Sequence, residues 1–331
     1  MECCPGRPSP WGRPITSDSI WRPGRYEHKE AAAVQVEAHA KLNLTLDVLG
    51  RRPDGYHDLR MVMQSIELAD LLDLSYTNTG ELRVSTNLHF LPNNEKNLAA
   101  QAALRWYESA VVQNPGKWDT EDLKRSVNFD GLDVTIEKHI PVCAGLGGGS
   151  SDAAAVLRAL NLMEDACLSP EAVASIGALV GSDVPYCVIG GTALAEGRGE
   201  ILTPLPPLPR CWAVLCKPEF SISTPALFAK IDSVRLRCRP DTKGVIAALE
   251  AGDLAGVSRR MYNVFEDALP ERQRTRVNDI KNTLIQCGAL GASMSGTGPT
   301  AFGLFDSEDK AREAWERLRE FGGEVFLAQT V

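Results

Sequence analysis

The stretch Pro141-Val-Cys-Ala-Gly-Leu-Gly-Gly-Gly-Ser-Ser-Asp-Ala-Ala-Ala155 places four glycines, two serines and one aspartate directly before a segment rich in alanine and leucine. Glycine lacks a Cβ, so consecutive N–H groups can turn toward one point, and the first turn of a helix adds unpaired N–H groups with a partial positive charge. The stretch therefore predicts a phosphate-binding loop and a helix from near Ser150 to about Met163. The alternative is a glycine-rich turn that Ser or Asp caps and that binds no ligand.

The two commoner phosphate loops do not match this stretch. It has no Gly-Lys-Ser/Thr ending, and its glycine spacing differs from that of a dinucleotide-binding fingerprint. Residues 132–140 alternate between apolar and polar positions, which predicts a strand that leads into the loop. Strand, glycine loop and helix follow one another in the order that a phosphate site needs.

A second strand is predicted upstream, where every even position from Val34 to Val48 is apolar. Lys41 and Asn43 then project from one polar face, and a lysine there meets either solvent or an anion. The strand ends at Gly50 and leads into the turn Arg51-Arg52-Pro53-Asp54-Gly55-Tyr56-His57. This turn is either a ligand-binding loop or a solvated hairpin tip with a packed tyrosine.

Two further segments carry candidate polar groups. Asp183 lies between a helix predicted from about Pro170 to Gly181 and the dipeptide Val184-Pro185. It forms either a local turn or a buried, chemically useful carboxylate. The segment Gly291-Ala-Ser-Met-Ser-Gly-Thr-Gly-Pro299 is either a tight turn between strands or a second ligand loop.

The composition is that of a folded protein with room for two domains: 331 residues, 44% hydrophobic and 24% charged. The net charge of −8 argues against a broad surface for nucleic acid or an anionic membrane, but a small anionic ligand in a local basic pocket remains compatible with it. No apolar run approaches the roughly 20 residues that span a bilayer. Four prolines among residues 204–209 mark the best domain boundary.

The nine cysteines show no metal-ligand spacing and predict reduced thiols, several of them in apolar runs: Cys187, Cys211, Cys216 and Cys287. Residues 1–32 are rich in Pro, Gly, Arg and Trp and predict a disordered extension without a signal-peptide core. The alternatives for this segment are a transit peptide, added residues that are not part of the natural protein, or an upstream translation start.

Taken together, these segments resemble the GHMP kinase superfamily, whose N-terminal strand and loop, Gly-Leu-Gly-Gly-Gly-Ser-Ser loop and C-terminal Gly-x-Gly loop occur here in order. Within it, Ala40-Lys41-Leu42-Asn43-Leu44 and the Asp-Gly-Tyr-His element resemble the family of kinases that act on 4-diphosphocytidyl-2-C-methyl-D-erythritol in the non-mevalonate (MEP) route of isoprenoid and terpenoid biosynthesis. The resemblance covers about Glu37 to Leu327. Cys143, Ser182 and Thr297 depart from the residues usual in that family.

The resemblance implies an α+β, two-domain GHMP kinase fold. Residues 33–203 would form an N-terminal ATP-binding and catalytic domain like domain 2 of ribosomal protein S5, and residues 210–331 a ferredoxin-like C-terminal GHMP kinase domain. A bacterial cytoplasmic enzyme is implied, with plastid targeting by the N-terminal extension as the alternative. No nucleic acid, membrane or obligate protein partner is expected.

The resemblance also implies a role for individual residues. Lys41 and Asp183 would be the catalytic pair. ATP, the co-substrate, would be bound by the glycine loop, which comprises Pro141, Val142, Cys143, Ala144, Gly145, Leu146, Gly147, Gly148, Gly149, Ser150 and Ser151. The substrate contacts would be Asn43, Tyr56, His57, Phe228, Gly296, Thr297 and Gly298. Tyr56 and Phe228 would sandwich the cytosine ring.

Mg²⁺ would accompany ATP through phosphate oxygens, water and the Ser151 hydroxyl, and no metal ligand is assigned. Two other functions stay open at this point. One is a kinase of the same superfamily for homoserine, mevalonate or a sugar, and the other is a non-catalytic nucleotide-binding protein.

Overall fold

The computed structural model describes residues 33–113 and 131–331, which contain two sheets and the helices packed on them. The strands are β1 (Ala33–Arg51), β2 (His57–Tyr76), β3 (Leu82–Thr86), β4 (Leu132–Glu137), β5 (Thr192–Gly197), β6 (Ile201–Pro204), β7 (Trp212–Lys217), β8 (Tyr262–Asn263), β9 (Gly291–Met294), β10 (Ala301–Phe305) and β11 (Glu324–Gln329). The helices are α1 (Leu98–Gln113), α2 (Gly148–Met163), α3 (Pro170–Gly177), α4 (Val184–Ile189), α5 (Thr224–Ile231), α6 (Thr242–Glu250), α7 (Leu254–Arg259), α8 (Phe265–Ala268), α9 (Glu271–Gln286) and α10 (Glu308–Arg319). Among these described helices, none has the length and apolar character needed to cross a bilayer.

The larger sheet has seven strands, five of which follow the order β3-β4-β2-β1-β8. The other two are β5 and β6: β5 pairs with residues 59–64 of the long strand β2, whereas β4 pairs with residues 71–76, and β6 pairs with β5. β1 is therefore a central strand, which explains why its residues 40–48 are all buried. Its pairing with β2 shifts register between His39 and Lys41 and again between Asn43 and Thr45. A one-residue slip turns every following side chain to the opposite face of a sheet.

The two register shifts divide the apolar even positions of β1 between two cores. Ala38, Leu46 and Val48 pack in the core that contains α2, whereas Ala40, Leu42 and Leu44 pack in the core that contains Phe302 and Leu304 of β10. The short segment from Lys41 to Asn43 is thus reversed relative to the rest of the strand. This reversal directs Lys41 and Asn43 away from the apolar side chains of Leu42 and Leu44 and toward α2.

The smaller sheet has four antiparallel strands in the order β11-β7-β10-β9. If these four strands are numbered 1 to 4 along the chain, their order in the sheet is 4-1-3-2. Helices α5 to α9 lie between β7 and β9 in the sequence, and α10 lies between β10 and β11. This is the β-α-β-β-α-β arrangement of a ferredoxin-like fold with additional helices. β8, although it belongs to the same part of the chain, pairs with β1 of the larger sheet.

Most elements that the sequence predicted are confirmed, with shifted bounds. The strand predicted over 34–48 is β1, the strand before the glycine loop is the shorter β4, and α2 begins at Gly148 rather than near Ser150. The helix predicted from Pro170 to Gly181 ends at Gly177. The apolar stretch 184–189 forms a buried helix, α4, that was not predicted.

The thiols of Cys187, Cys211, Cys216 and Cys287 are free and buried, as predicted. The predicted extension over residues 1–32 lies outside the described residues, and the domain bounds 33–203 and 210–331 stay a prediction.

Candidate active site

The glycine loop turns sharply and ends at the first residue of α2. Gly145 and Gly147 have φ angles of 78° and 74°, in the left-handed region that glycine adopts readily. Gly147 is the N-cap of α2 and provides no side-chain cap. The first N–H groups of the helix are therefore not covered by a capping side chain, which is the arrangement of an anion site.

Backbone groups hold this loop against β1 and against the turn after β9. The Lys41 N–H donates to the Leu146 carbonyl at 3.0 Å, and the Thr300 N–H donates to the Ala144 carbonyl at 3.4 Å. Gly145 packs so closely that a Cβ at this position would overlap the carbonyl oxygen of Ser295. The glycine loop and the C-terminal Gly-x-Gly turn are thus in direct contact.

Ser295 connects three segments, and it was missed by the sequence reasoning. Its Oγ donates to the Gly145 carbonyl at 2.9 Å and accepts the Asn43 N–H at 3.3 Å. The following turn is held by the buried Asn263, whose Nδ2 donates to the carbonyls of Met294 and Gly296 at 2.8 and 2.7 Å. Ser295 lies within the segment 291–299 and Asn263 lies outside it, but neither residue type signals such a role, because only the tertiary fold brings these segments together.

Gly296, Thr297 and Gly298 form the turn that packs against the glycine loop. A Cβ at Gly296 would lie 2.9 Å from the Gly145 carbonyl oxygen, and Gly298 N–H donates to the Ser295 carbonyl at 2.9 Å. The Thr297 Oγ1 lies 2.8 Å from the Thr224 Oγ1 at the start of α5. This turn therefore lies between the glycine loop and α5.

Lys41, Asn43 and Asp183 meet beside the glycine loop. Lys41 is only 4% exposed, and its Nζ donates to the Asn43 Oδ1 at 2.7 Å and forms an ion pair with the Asp183 Oδ2 at 3.4 Å. A Cβ at Gly147 would lie 3.0 Å from the Lys41 Cγ, so the lysine runs alongside the loop. The strand pattern left solvent or an anion as the surroundings of Lys41, and its burial excludes solvent.

Asp183 occupies the N-cap position of α4 but makes no side-chain capping bond. The local turn that the sequence offered as the alternative for this carboxylate is therefore not formed. Its side chain is 32% exposed and faces Lys41. A half-buried carboxylate paired with a buried ammonium beside the glycine loop can accept a proton from a bound hydroxyl group.

Ser151 is placed differently from the other polar residues of the loop. Its Oγ is buried and donates to the His39 carbonyl at 2.7 Å, and its N–H donates to the Gly147 carbonyl at 2.8 Å. Both polar groups are therefore engaged within the protein. In the described parts of the chain, no cluster of three or more His, Cys, Asp or Glu side chains is arranged to hold a metal ion.

A second group of side chains surrounds the end of the β1–β2 hairpin. The His57 ring packs against Phe228 with a centroid distance of 5.2 Å, and its Nε2 lies 2.9 Å from the Asp232 Oδ1. Phe228 also meets Phe265 edge to face at 4.8 Å. Tyr56 is 56% exposed, with the Arg198 guanidinium 5.1 Å from its ring centroid. The structure thus brings Tyr56, His57 and Phe228 into one neighbourhood, and it adds Asp232 and Arg198, which the sequence did not single out.

A buried charge cluster lies behind the start of α2. The Lys138 Nζ contacts the carboxylates of Asp70 and Asp152, the latter at 2.6 Å. The Asp70 Oδ1 also accepts the N–H groups of His139 and Ile140 at 2.6 and 2.8 Å. Burial raises the pKa of Asp152 to about 7, against the attraction of the Lys138 ammonium and with the Asp70 carboxylate adding to the rise.

This raised pKa predicts a pH-dependent difference between the wild type and Asp152→Asn. An unfolded aspartate releases its proton near pH 4, whereas the folded one retains it to about pH 7. The folded state binds the proton more tightly, so the wild-type free energy of unfolding falls relative to that of the variant as pH rises from about 4 to about 7 and the difference is constant above that.

Urea unfolding of both proteins at several pH values measures this difference. Asp165→Asn, at an exposed aspartate just beyond the end of α2, controls for the substitution itself. Parallel pH profiles for the wild type and Asp152→Asn would contradict the raised pKa.

Comparison with known proteins identifies relatives of this chain. The protein-family model described as "GHMP kinases N terminal domain" matches residues 117–191. The family model described as "GHMP kinases C terminal" matches residues 245–324. A protein of Alkaliphilus metalliredigens named 4-diphosphocytidyl-2-C-methyl-D-erythritol kinase is 41% identical over 297 residues, which cover 90% of this chain and 96% of that protein.

Solved structures show the same similarity. A crystal structure of 4-(cytidine 5'-diphospho)-2C-methyl-D-erythritol kinase superposes with a TM-score of 0.69 at 30% identity, over 90% of this chain and 99% of the other. A homoserine kinase from Cytophaga hutchinsonii superposes with a TM-score of 0.68 at 19% identity, over 93% and 98% of the two chains. The second similarity shows the fold alone.

Proposed function

Because the chain belongs to the 4-diphosphocytidyl-2-C-methyl-D-erythritol kinase family of the GHMP kinases, we propose that it transfers the γ-phosphoryl group of ATP to the 2-hydroxyl of 4-diphosphocytidyl-2-C-methyl-D-erythritol. The products are the 2-phosphate and ADP. The observation that carries this assignment to named residues is the ion pair of Lys41 and Asp183 at the end of the glycine loop. The reaction belongs to the non-mevalonate route of isoprenoid biosynthesis.

Asp183 is the base in this proposal. The substrate 2-hydroxyl transfers its proton to an Asp183 oxygen while its own oxygen forms the new bond to the γ-phosphorus, and the bond from that phosphorus to the β-phosphate bridging oxygen breaks to release ADP. Lys41 places a positive charge beside the attacking oxygen and the transferring group. No covalent intermediate is needed, since positioning and electrostatic stabilisation supply the catalysis.

The glycine loop and the residues around it fix the positions of the nucleotide phosphates and of Lys41 relative to each other. The N–H groups at the start of α2 bind the nucleotide phosphates. Asn43 holds the Lys41 ammonium through its Oδ1, and because its side chain is fully buried we assign it this positioning role beside the predicted contact with substrate. Ser295 keeps β1 and the glycine loop together, so the lysine and the phosphate site cannot shift independently.

Mg²⁺ enters the proposal as the counter-ion of ATP. Since the described residues offer no carboxylate cage, the ion would be bound chiefly through phosphate oxygens and water. The Ser151 hydroxyl is buried and directed toward the His39 carbonyl, so we do not assign it to the metal. When bound, the ion screens the negative charge of the phosphates.

The cytidine end is assigned to the neighbourhood of Tyr56, His57 and Phe228. Tyr56 and Phe228 provide aromatic faces for a pyrimidine ring. The His57 Nε2 lies 2.9 Å from the Asp232 Oδ1, and this contact holds the imidazole ring beside Phe228. The Gly296-Thr297-Gly298 turn, beside the glycine loop and α5, contributes to the phosphate or substrate site.

The assignment is completed by the predicted domain organisation. We propose that residues 33–203 form the ATP-binding and catalytic domain and that residues 210–331 form the C-terminal domain that supplies Phe228 and the Ser295 turn. The four-stranded sheet built from residues 212–329 supports this division. The bacterial source of the relative described above supports a place in a bacterial cytoplasm.

The test is ADP release by the purified chain with Mg²⁺, ATP and 4-diphosphocytidyl-2-C-methyl-D-erythritol, run beside homoserine and mevalonate. Release with the cytidyl substrate alone is the expected result. The Tyr56→Ala variant is expected to lose most of this substrate affinity, since base–aromatic stacking is worth about 1–3 kcal/mol. Release with another alcohol would replace the substrate assignment, and ATP binding without ADP release from any alcohol would favour a non-catalytic protein.

A further inference from the structure

The substrate in the proposed function carries a diphosphate between its cytidine and its erythritol, and the inference that follows rests on that function. Its cytosine end is assigned to Tyr56, His57 and Phe228, and its reacting hydroxyl to Lys41 and Asp183. The negatively charged linker must therefore cross the surface between these two groups. A cation on that surface would bind it.

The turn between β5 and β6 lies between the two groups. Arg198 has its guanidinium carbon 5.1 Å from the Tyr56 ring centroid, at the cytosine end. The next residue, Gly199, lies against the catalytic end, because a Cβ at Gly199 would be 3.6 Å from the Asp183 Oδ1 and 3.5 Å from the Ser182 carbonyl oxygen. Two consecutive residues thus contact the two ends of the assigned substrate site.

The absence of a side chain at Gly199 is required by its place in this turn. Its φ angle of 120° is outside the range that other residues readily adopt, and a Cβ would also lie 3.3 Å from the Met61 Cε. The backbone therefore passes close to the Asp183 carboxylate without a side chain in between. This close passage keeps Arg198 within reach of the region next to the reacting hydroxyl.

The charge of Arg198 is only partly balanced by its neighbours. Its Nε lies 3.8 Å from the Glu200 Oε1, too far for a hydrogen bond, and its side chain is 36% exposed. The other Glu200 oxygen accepts the Arg198 backbone N–H at 2.6 Å, so Glu200 fixes the turn more than it neutralises the guanidinium. Asp54 is the other nearby carboxylate, and it is held by Arg52 and by the Tyr56 N–H at 3.2 and 3.1 Å.

We propose that Arg198 binds the diphosphate of the substrate. A guanidinium presents planar, paired N–H donors that match two phosphate oxygens, and it stays charged at any physiological pH. From its position over Tyr56 it reaches a diphosphate attached to a base stacked on that ring. By binding the diphosphate, Arg198 fixes the position of the substrate hydroxyl relative to the bound cytosine, so that the hydroxyl lies beside Asp183. It also favours binding of a nucleoside diphosphate over that of an uncharged nucleoside.

The experiment compares cytidine with cytidine diphosphate as ligands of the wild type, Arg198→Ala and Arg198→Lys, by calorimetric titration. Loss of a hydrogen bond to a charged group predicts that Arg198→Ala weakens cytidine diphosphate binding about 10- to 100-fold and leaves cytidine binding within about 2-fold. Arg198→Lys keeps the charge but lacks the planar, paired donors of the guanidinium. Its affinity for cytidine diphosphate is expected to lie between those of the wild type and Arg198→Ala. Arg60→Ala is the matched control, since it removes an arginine from β2 that pairs with Glu196 at 3.0 Å.

Steady-state kinetics give the second readout. For Arg198→Ala the KM for the cytidyl substrate is expected to rise by the same factor of about 10 to 100, with kcat within about 3-fold and the KM for ATP unchanged. Equal weakening of cytidine and cytidine diphosphate would show that Arg198 only supports the Tyr56 ring and would overturn the proposal. So would unchanged binding of both ligands in a variant that still phosphorylates the substrate.

Failure of the proposed function gives a different pattern. In that case the wild type itself would neither bind cytidine diphosphate nor release ADP with the cytidyl substrate, and both assignments would fall together. A wild type that is active beside a fully active Arg198→Ala would sink the arginine assignment alone.

Discussion

Asp183→Asn is expected to lower kcat by about 10²- to 10⁴-fold, because the amide cannot accept the proton of the attacking hydroxyl. The KM values for both substrates should change little, since the amide keeps the size and hydrogen-bonding capacity of the side chain near Lys41. Stability should also change little, because the Asp183 side chain does not cap α4. Steady-state ADP release and urea unfolding measure the two effects.

Asp253 offers a matched control for this prediction. It also lies at a helix N-cap, at the start of α7, but its side chain does accept the Gly256 N–H at 2.8 Å. Asp253→Ala is expected to lose about 1 kcal/mol of unfolding free energy and to keep full activity. Asp183→Ala should show the opposite pattern, with lost activity and nearly unchanged stability. Full activity of Asp183→Asn would remove this residue from the mechanism.

The sequence predicts those parts of the site that depend only on the conformation of neighbouring residues. The glycine loop needs backbone conformations that glycine provides, so its position and the start of α2 at Gly148 could be predicted to within two residues. Lys41 and Asn43 could be placed on one face because no register shift separates them. Alternate residues of a regular strand share one face, and the 2.7 Å hydrogen bond between the Lys41 and Asn43 side chains agrees with this placement.

Other parts depend on packing that no local pattern records. The register shifts on either side of the segment 41–43 turn Lys41 and Asn43 toward α2, and alternation alone could not show either the shifts or the burial of the lysine. α4 was missed because a six-residue, fully apolar run is equally typical of a buried strand and a buried helix. Ser295 and Arg198 are single residues of common types, and their contacts cross long separations in the chain.

Gly145→Ala is expected to raise the KM for ATP by about 100-fold or more, because the added methyl group must displace the loop by a fraction of an ångström to an ångström. The Cβ would overlap the Ser295 carbonyl oxygen and lie 3.1 Å from the Gly298 N. Both are backbone atoms of the C-terminal turn, so no side-chain rotation can make room. The turn is itself fixed by Asn263, which prevents it from yielding. The KM for ATP and the affinity for ATP by titration measure the result.

Two costs are combined in Gly145→Ala, and Gly80→Ala separates them. Gly80 has a φ of 67°, close to the 78° of Gly145, but a Cβ at Gly80 would meet no atom within 4 Å. Gly80→Ala is therefore expected to lose about 1–2 kcal/mol of stability from the left-handed backbone conformation alone and to keep its ATP affinity. If Gly145→Ala loses a similar amount of stability but binds ATP as the wild type does, the contact between the two loops does not position the nucleotide. A loss of ATP affinity confined to Gly145→Ala would show instead that the phosphate site is built jointly by the glycine loop and the C-terminal turn, through the contact of Gly145 with Ser295.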